Sequence, residues 1–153
     1  MCPFVNEAWF LAREAHADQL DKGGRPYIEH VARVALAVEG DDEAEAVAWL
    51  HDVVEDCPGL ATKVILFPRA IVDAVLDLTR VPGVDDAAYY QRIRQNPLAL
   101  KVKLADIADN SEEGRLGKLD PATAARLRVK YAKARAALGH AVDRRALARG
   151  LGA

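Results

Sequence analysis

The sequence predicts an all-α fold, a single-domain helical bundle, on three observations. Of its 153 residues 29 are alanine, the strongest helix former, against 10 glycines and 7 prolines. Apolar residues recur at helical spacing through most of the chain, and no stretch alternates with the period of two that marks a half-buried strand. The length is that of one domain able to bury about 70% of the surface its unfolded chain exposes, so folding needs no disulfide or structural metal. Residues 1–153 read as one domain, with a core at about 6–138 and a basic helical extension at 139–153.

The elements follow in order. Trp9, Phe10, Ala12, Arg13 and His16 share helical spacing between Asn6, a candidate N-cap, and Leu20, before Asp21-Lys22-Gly23-Gly24 stops the run. Pro26 opens a second helix carrying Val31, Val34, Ala35 and Val38, which Gly40 ends. Asp41 or Asp42 caps a third that runs through Val47, Leu50 and His51 to about Asp56, where Cys57-Pro58-Gly59 breaks it. After a short fourth region, Pro68 starts a periodic run through Ile71, Val75 and Leu78, closed by Pro82-Gly83. Asp85 or Asp86 caps a helix with Tyr89, Tyr90 and Ile93, and Pro97 restarts the chain into Leu100, Leu104 and Ile107. Asp120-Pro121 then announces the last long helix, with Ala124, Leu127, Tyr131, Ala134 and Leu138 on its apolar side.

Charge excludes several function classes. The sum of 21 Lys+Arg and 23 Asp+Glu argues against a histone-like nucleic-acid binder and a disordered acidic tail. The distribution is polar, however: residues 1–113 hold 11 basic and 21 acidic side chains, net −10, and residues 114–153 hold 10 and 2, net +8. No aromatic interleaving accompanies that basic segment, so no nucleic-acid partner is expected. Two cysteines form no CxxC pair, and no uncharged run approaches the ~20 residues of a membrane span, so the expectation is a cytoplasmic protein with no membrane partner.

The chemistry concentrates around histidine and acidic residues. His30 and His51 both fall at helical positions near carboxylates, and Asp52 follows His51 directly. On a continuous helix Asp52, Glu55 and Asp56 would share one face, an arrangement that like-charge repulsion disfavours without a cation or substrate. Asp106 and Asn110 share a face of an otherwise apolar run, which makes Asp106 a candidate fourth ligand. Taken singly, a helical histidine is more often a packed residue than a ligand. Two imidazoles and two carboxylates together suit Mn, Fe or Zn, because soft thiolates are absent and all-oxygen sites favour Mg or Ca.

The run Ala15-His16-Ala17-Asp18-Gln19, then Lys22-Gly23-Gly24-Arg25-Pro26-Tyr27-Ile28-Glu29-His30, then Leu50-His51-Asp52-Val53-Val54-Glu55-Asp56, and finally Val102-Lys103-Leu104-Ala105-Asp106 with Asn110, resembles the HD-domain hydrolases of the RelA/SpoT type. The likeness is in particular to the stand-alone small alarmone hydrolases, which include the metazoan SpoT homologue, and it covers roughly residues 8–135. It implies an all-α bundle that binds Mn²⁺ and removes the 3′-pyrophosphate of guanosine tetra- or pentaphosphate. Without room for a synthetase domain the activity should be hydrolytic only. By this resemblance His30, His51, Asp52 and Asp106 match the metal ligands, and Glu55 and Asp56 the acidic pair that handles the attacking water. Lys22 matches a nucleotide-touching lysine and Asn110 an asparagine beside base and ribose. Lys103 and the basic last helix, with Arg126, Arg128 and Lys130 around Tyr131, supply cations for a polyanionic substrate. His16 is expected to pack or support, and Tyr27 and Trp49 to belong to the core. The chain departs from the family at Asp21, which replaces a cation, and at Glu112 and Glu113, which stand where an Arg-Thr pair is usual. Two other readings therefore accompany the first: an HD phosphohydrolase for another nucleotide or dinucleotide cofactor, and a non-catalytic nucleotide-sensing module. The expected partner is a small phosphorylated nucleotide, and a homodimer is the further candidate assembly.

Overall fold

The computed structural model describes residues 2–139. Among them lie ten α-helices and no strand: α1 (Pro3–Ala15), α2 (Tyr27–Ala37), α3 (Asp42–Leu50), α4 (Val53–Asp56), α5 (Ala61–Val64), α6 (Arg69–Leu78), α7 (Asp86–Gln95), α8 (Pro97–Asn110), α9 (Glu113–Leu116) and α10 (Pro121–Ala137). A single antiparallel bridge, Leu20 to Pro26, closes the loop before α2. No helix among the described residues is long and apolar enough to cross a membrane. The extension expected at 139–153 falls outside the described residues, apart from Gly139.

Local chemistry explains most boundaries. Asp41, Asp85, Asn96 and Asp120 cap α3, α7, α8 and α10 by accepting backbone N–H groups that no helical carbonyl can reach. Gly40, at φ +94°, takes the left-handed conformation that turns the chain from α2 into α3. Two expectations change. Helix α1 begins at Pro3, whose missing N–H costs nothing at the first helical position, so Asn6 lies inside the helix and does not cap it. The helix expected to run unbroken to Asp56 ends instead at Leu50; His51 and Asp52 form a turn, and Asp52 is the N-cap residue of α4.

Helix α3 is the axis of the bundle. Its Ala44, Ala46, Val47, Ala48 and Leu50 are all buried, and it packs against α1, α2, α6 and α8. A helix so enclosed must be apolar nearly all round, and its small alanines let four neighbours approach. Each fully buried Val, Leu or Ile around it contributes about 1.5–3 kcal/mol. This packing fixes the C-terminal end of α3, and with it His51, against α2 and α8.

Candidate metal centre

Five polar side chains are buried among the described residues, and His16, His30, His51 and Asp106 are four of them. His30 arrives one turn into α2, His51 just past the end of α3, and Asp106 from the middle of α8. Asp106 Oδ1 lies 3.1 Å from His30 Nε2 and 3.5 Å from His51 Nε2. One ligand atom from each of the three lies within 4.8 Å of the others. Neither Nε2 has a hydrogen-bond partner, although both atoms are buried. Nitrogens of this kind are rarely left unsatisfied, and these two face one carboxylate oxygen across a gap that suits a cation.

Each candidate ligand is held from behind. His51 Nδ1 meets the Ala48 carbonyl at 2.6 Å, and His30 Nδ1 meets Asp109 Oδ2 at 2.6 Å. Asn110 donates to Asp106 Oδ1 at 2.8 Å and Lys103 to Oδ2 at 2.9 Å. Asp52, beside the tight cluster, puts Oδ2 3.0 Å from His51 Nε2 and accepts the Tyr27 hydroxyl. Burial opposes charge on Asp106, yet Lys103 and the two imidazoles outweigh it and hold the carboxyl well below its usual range. Burial likewise works against a charged His30 and His51, but the surrounding carboxylates win and raise both.

The acidic pair beyond the candidate ligands is split between two partners, although one α-turn, closed by the Asp56 N–H on the Asp52 carbonyl at 2.9 Å, carries Asp52, Glu55 and Asp56 together. Glu55 Oε1 accepts the Arg80 backbone N–H at 2.8 Å, whereas Asp56 Oδ2 accepts from Gln19 Nε2 at 3.0 Å. Glu55 is exposed at the surface, but partial desolvation of its carboxyl, reinforced by Asp52 and Asp56, pushes it up. His16, its ring tilted against Tyr27 with centres 5.1 Å apart, bonds Gln19 Oε1 at 2.7 Å and so braces Asp56 indirectly.

Cations face this acidic floor. Lys22 projects into solvent from a loop that Asp21 builds, its Oδ1 accepting the N–H groups of Gly23 and Arg25. Tyr131 on α10 is pushed up by burial and by the charges of Asp106 and Asp52, and Lys130 is pushed down by burial and by Lys22, Lys103 and Arg80. Two cations touch the cluster directly: Lys103 Nζ reaches Asp106 Oδ2, and the Arg80 backbone N–H reaches Glu55. The Arg80 guanidinium lies 4.1 Å from the Tyr89 ring centre, with Lys103 Nζ 5.8 Å from the same ring. Glu112 and Glu113 do not face the cluster as a pair of free acids: Glu112 caps α9 and Glu113 holds Arg128 of α10 at 2.8 Å.

Sequence reasoning missed Arg80, Asp109 and the tie between Tyr27 and Asp52. Asp109 had a readable signal, since it stands three residues after Asp106 on one helix. Arg80 had none, because it reaches Glu55 through its backbone.

An all-helical bundle that gathers two imidazoles and a carboxylate with buried, unpartnered nitrogens is the scaffold of a divalent-metal site. The family profile described as "HD domain" matches residues 8–112, and the chain belongs to that family. Among curated relatives, a guanosine-3′,5′-bis(diphosphate) 3′-pyrophosphohydrolase of Vibrio cholerae is 32% identical over 151 residues, covering 89% of this chain and 21% of that protein. A namesake from Haemophilus influenzae is 34% identical over 124 residues, 72% of this chain and 18% of the relative. The bifunctional (p)ppGpp synthase/hydrolase SpoT of Escherichia coli is 29% identical over 130 residues, 76% and 18%. The chain thus spans about a fifth of the length of the curated relatives it matches. A solved structure of a metazoan ortholog of SpoT that hydrolyzes ppGpp superposes with a TM-score of 0.72 at 23% identity, covering 90% of this chain and 86% of that one, which shows the fold.

Proposed function

We propose that this chain is a cytoplasmic hydrolase, dependent on Mn²⁺, that removes the 3′-pyrophosphate of guanosine tetra- or pentaphosphate. The observation that carries the reading is the convergence of unpartnered His30 Nε2 and His51 Nε2 on Asp106 Oδ1. The names of the relatives supply the substrate.

The donor set fits the metal: His30, His51 and Asp106 would hold it, with Asp52 alongside. A divalent cation held there would bring the pKa of a water down towards about 7 and would polarise a phosphoryl oxygen. The rest is done by the chain. Glu55, its proton affinity raised by partial desolvation and its oxygen steered by the Arg80 N–H, takes the proton of the attacking water. Asp56, fixed by Gln19, orients that water. The water oxygen bonds to the phosphorus on the ribose 3′ oxygen, the old P–O bond breaks, and its electron pair leaves with the ribose oxygen, which takes up a proton. GDP and pyrophosphate result from the tetraphosphate. Lys22, Arg80 and Lys130 counter the substrate's charge, while Lys103 is already committed to Asp106. Tyr131 and Asn110 border the nucleotide.

The test incubates purified protein with Mn²⁺ and guanosine tetraphosphate; GDP and pyrophosphate in equal amounts support the proposal, and no turnover contradicts it. One observation favours a second reading. Glu112 and Glu113 are spent on a helix cap and on Arg128, so this part of the chain sends no cation towards the nucleotide. Phosphate release from another nucleotide, with none from guanosine tetraphosphate, selects an HD phosphohydrolase of different substrate.

A further inference from the structure

Both ring nitrogens of His30 face carboxylates of one helix, α8. Asp106 and Asp109, three residues apart on α8, stand 3.1 Å from Nε2 and 2.6 Å from Nδ1. The Asp109 carboxylate is nearly buried, with 11% of its side chain exposed, and arginines from two other elements fix it. Arg33 on α2 donates from Nε to Oδ1 at 2.7 Å and from Nη2 to Oδ2 at 3.1 Å. Arg115 on α9 donates from Nη2 to Oδ1 at 2.8 Å and also to the Asp109 carbonyl at 2.5 Å.

An ionised carboxylate only accepts hydrogen bonds. Opposite Asp109, His30 therefore keeps a proton on Nδ1, so that Nε2, which faces Asp106, is the nitrogen left to give its lone pair to a cation between them. His51 is set by a backbone carbonyl, that of Ala48, which no side-chain replacement removes. Of the two imidazoles, only His30 has its tautomer under side-chain control.

We propose that Asp109, clamped by Arg33 and Arg115, is the positioning residue of the metal centre: it fixes the tautomer and ring orientation of His30 and thereby sets the affinity for the divalent cation. The inference rests on the metal-centre reading but on no particular substrate. It gives α9 a purpose, since Arg115 sits in a single turn of helix whose cap, Glu112, also pairs with Arg115 at 3.3 Å. Loosening α9 would then weaken a metal site it does not touch.

The experiment titrates metal-free protein with Mn²⁺ by calorimetry and follows metal-free melting in parallel. Asp109→Ala should weaken binding about 10–100-fold, the usual effect of losing a carboxylate behind a ligating histidine. Asp109→Asn and Arg115→Gln should each give a smaller loss in the same direction, and Asp109→Glu should recover part of the affinity. Nitrogen-15 NMR of the wild type loaded with diamagnetic Zn²⁺ should show His30 protonated at Nδ1 and metal-bound at Nε2, a readout that survives if the alanine variant fails to fold. Wild-type affinity in folded Asp109→Ala, or a wild-type His30 bound to zinc through Nδ1, overturns the proposal. A wild type that takes up no Mn²⁺ overturns it together with the metal centre. Mn²⁺ binding that behaves as described, without turnover of guanosine tetraphosphate, supports it and contradicts only the substrate reading.

Discussion

The Tyr27 hydroxyl donates to Asp52 Oδ2 at 2.5 Å, so the carboxylate next to His51 is tethered from a different helix. Burial and the negative charge of Asp52 both push the Tyr27 hydroxyl far up, and it stays a donor at any ordinary pH. Tyr27→Phe removes one hydrogen bond to a partly buried carboxylate and should cost about 1.5–3 kcal/mol of stability. Urea unfolding of the metal-free variant checks this; an unchanged midpoint would show that the tether carries no load.

Glu55→Gln keeps the size of the side chain and its acceptor for the Arg80 N–H, but removes the base. Turnover should fall by about 10²–10⁴-fold while Mn²⁺ binding stays within a few-fold. Parallel loss of metal would place Glu55 among the ligands.

Asp41 both caps α3 and pairs with Lys101 at 2.9 Å. The Lys101 contact and the backbone N–H of Ala44 lower its pKa. A depressed carboxyl stabilises the fold above its unfolded value of about 3.9 and loses that contribution as the pH falls through the folded value. The pair is partly exposed, so the cap sets the scale: Asp41→Ala should cost about 0.5–2 kcal/mol at pH 7. That difference should shrink below pH 4. Denaturation curves at both pH values test the sign, and an equal difference at each refutes it.

Ile71 on α6 is fully buried in the core, in a helix that supplies no metal ligand. Ile71→Ala should cost about 2–5 kcal/mol through lost burial and the cavity left behind. Mn²⁺ stoichiometry of the folded fraction, measured below the melting transition, should not change; a loss would mean that the site depends on α6 packing.

The sequence made the helices legible because their caps are local: Asp41, Asp85 and Asp120 announce α3, α7 and α10 within four residues. The break at His51-Asp52 was not legible. The apolar spacing through Val47, Leu50, Val53 and Val54 continues across it, and only packing against α2 and α8 turns the chain there. His30, His51 and Asp106 could be picked out as residue types, and the structure brings them together. Their supports could not be found the same way, because Asp109, Arg33 and Arg115 meet from three helices through charge, a pairing that leaves no period in the sequence. The departures at Asp21, Glu112 and Glu113 looked like losses of substrate contact; in the folded chain they build a loop, a cap and a tie between α9 and α10.

The central claim is that three side chains from α2, the end of α3 and α8 close on one cation. Crystals grown with Mn²⁺ and measured for anomalous scattering test it most directly. The account predicts one strong peak bonded to His30 Nε2, His51 Nε2 and an oxygen of Asp106. No peak there, or Asp106 turned away from both imidazoles, would contradict it.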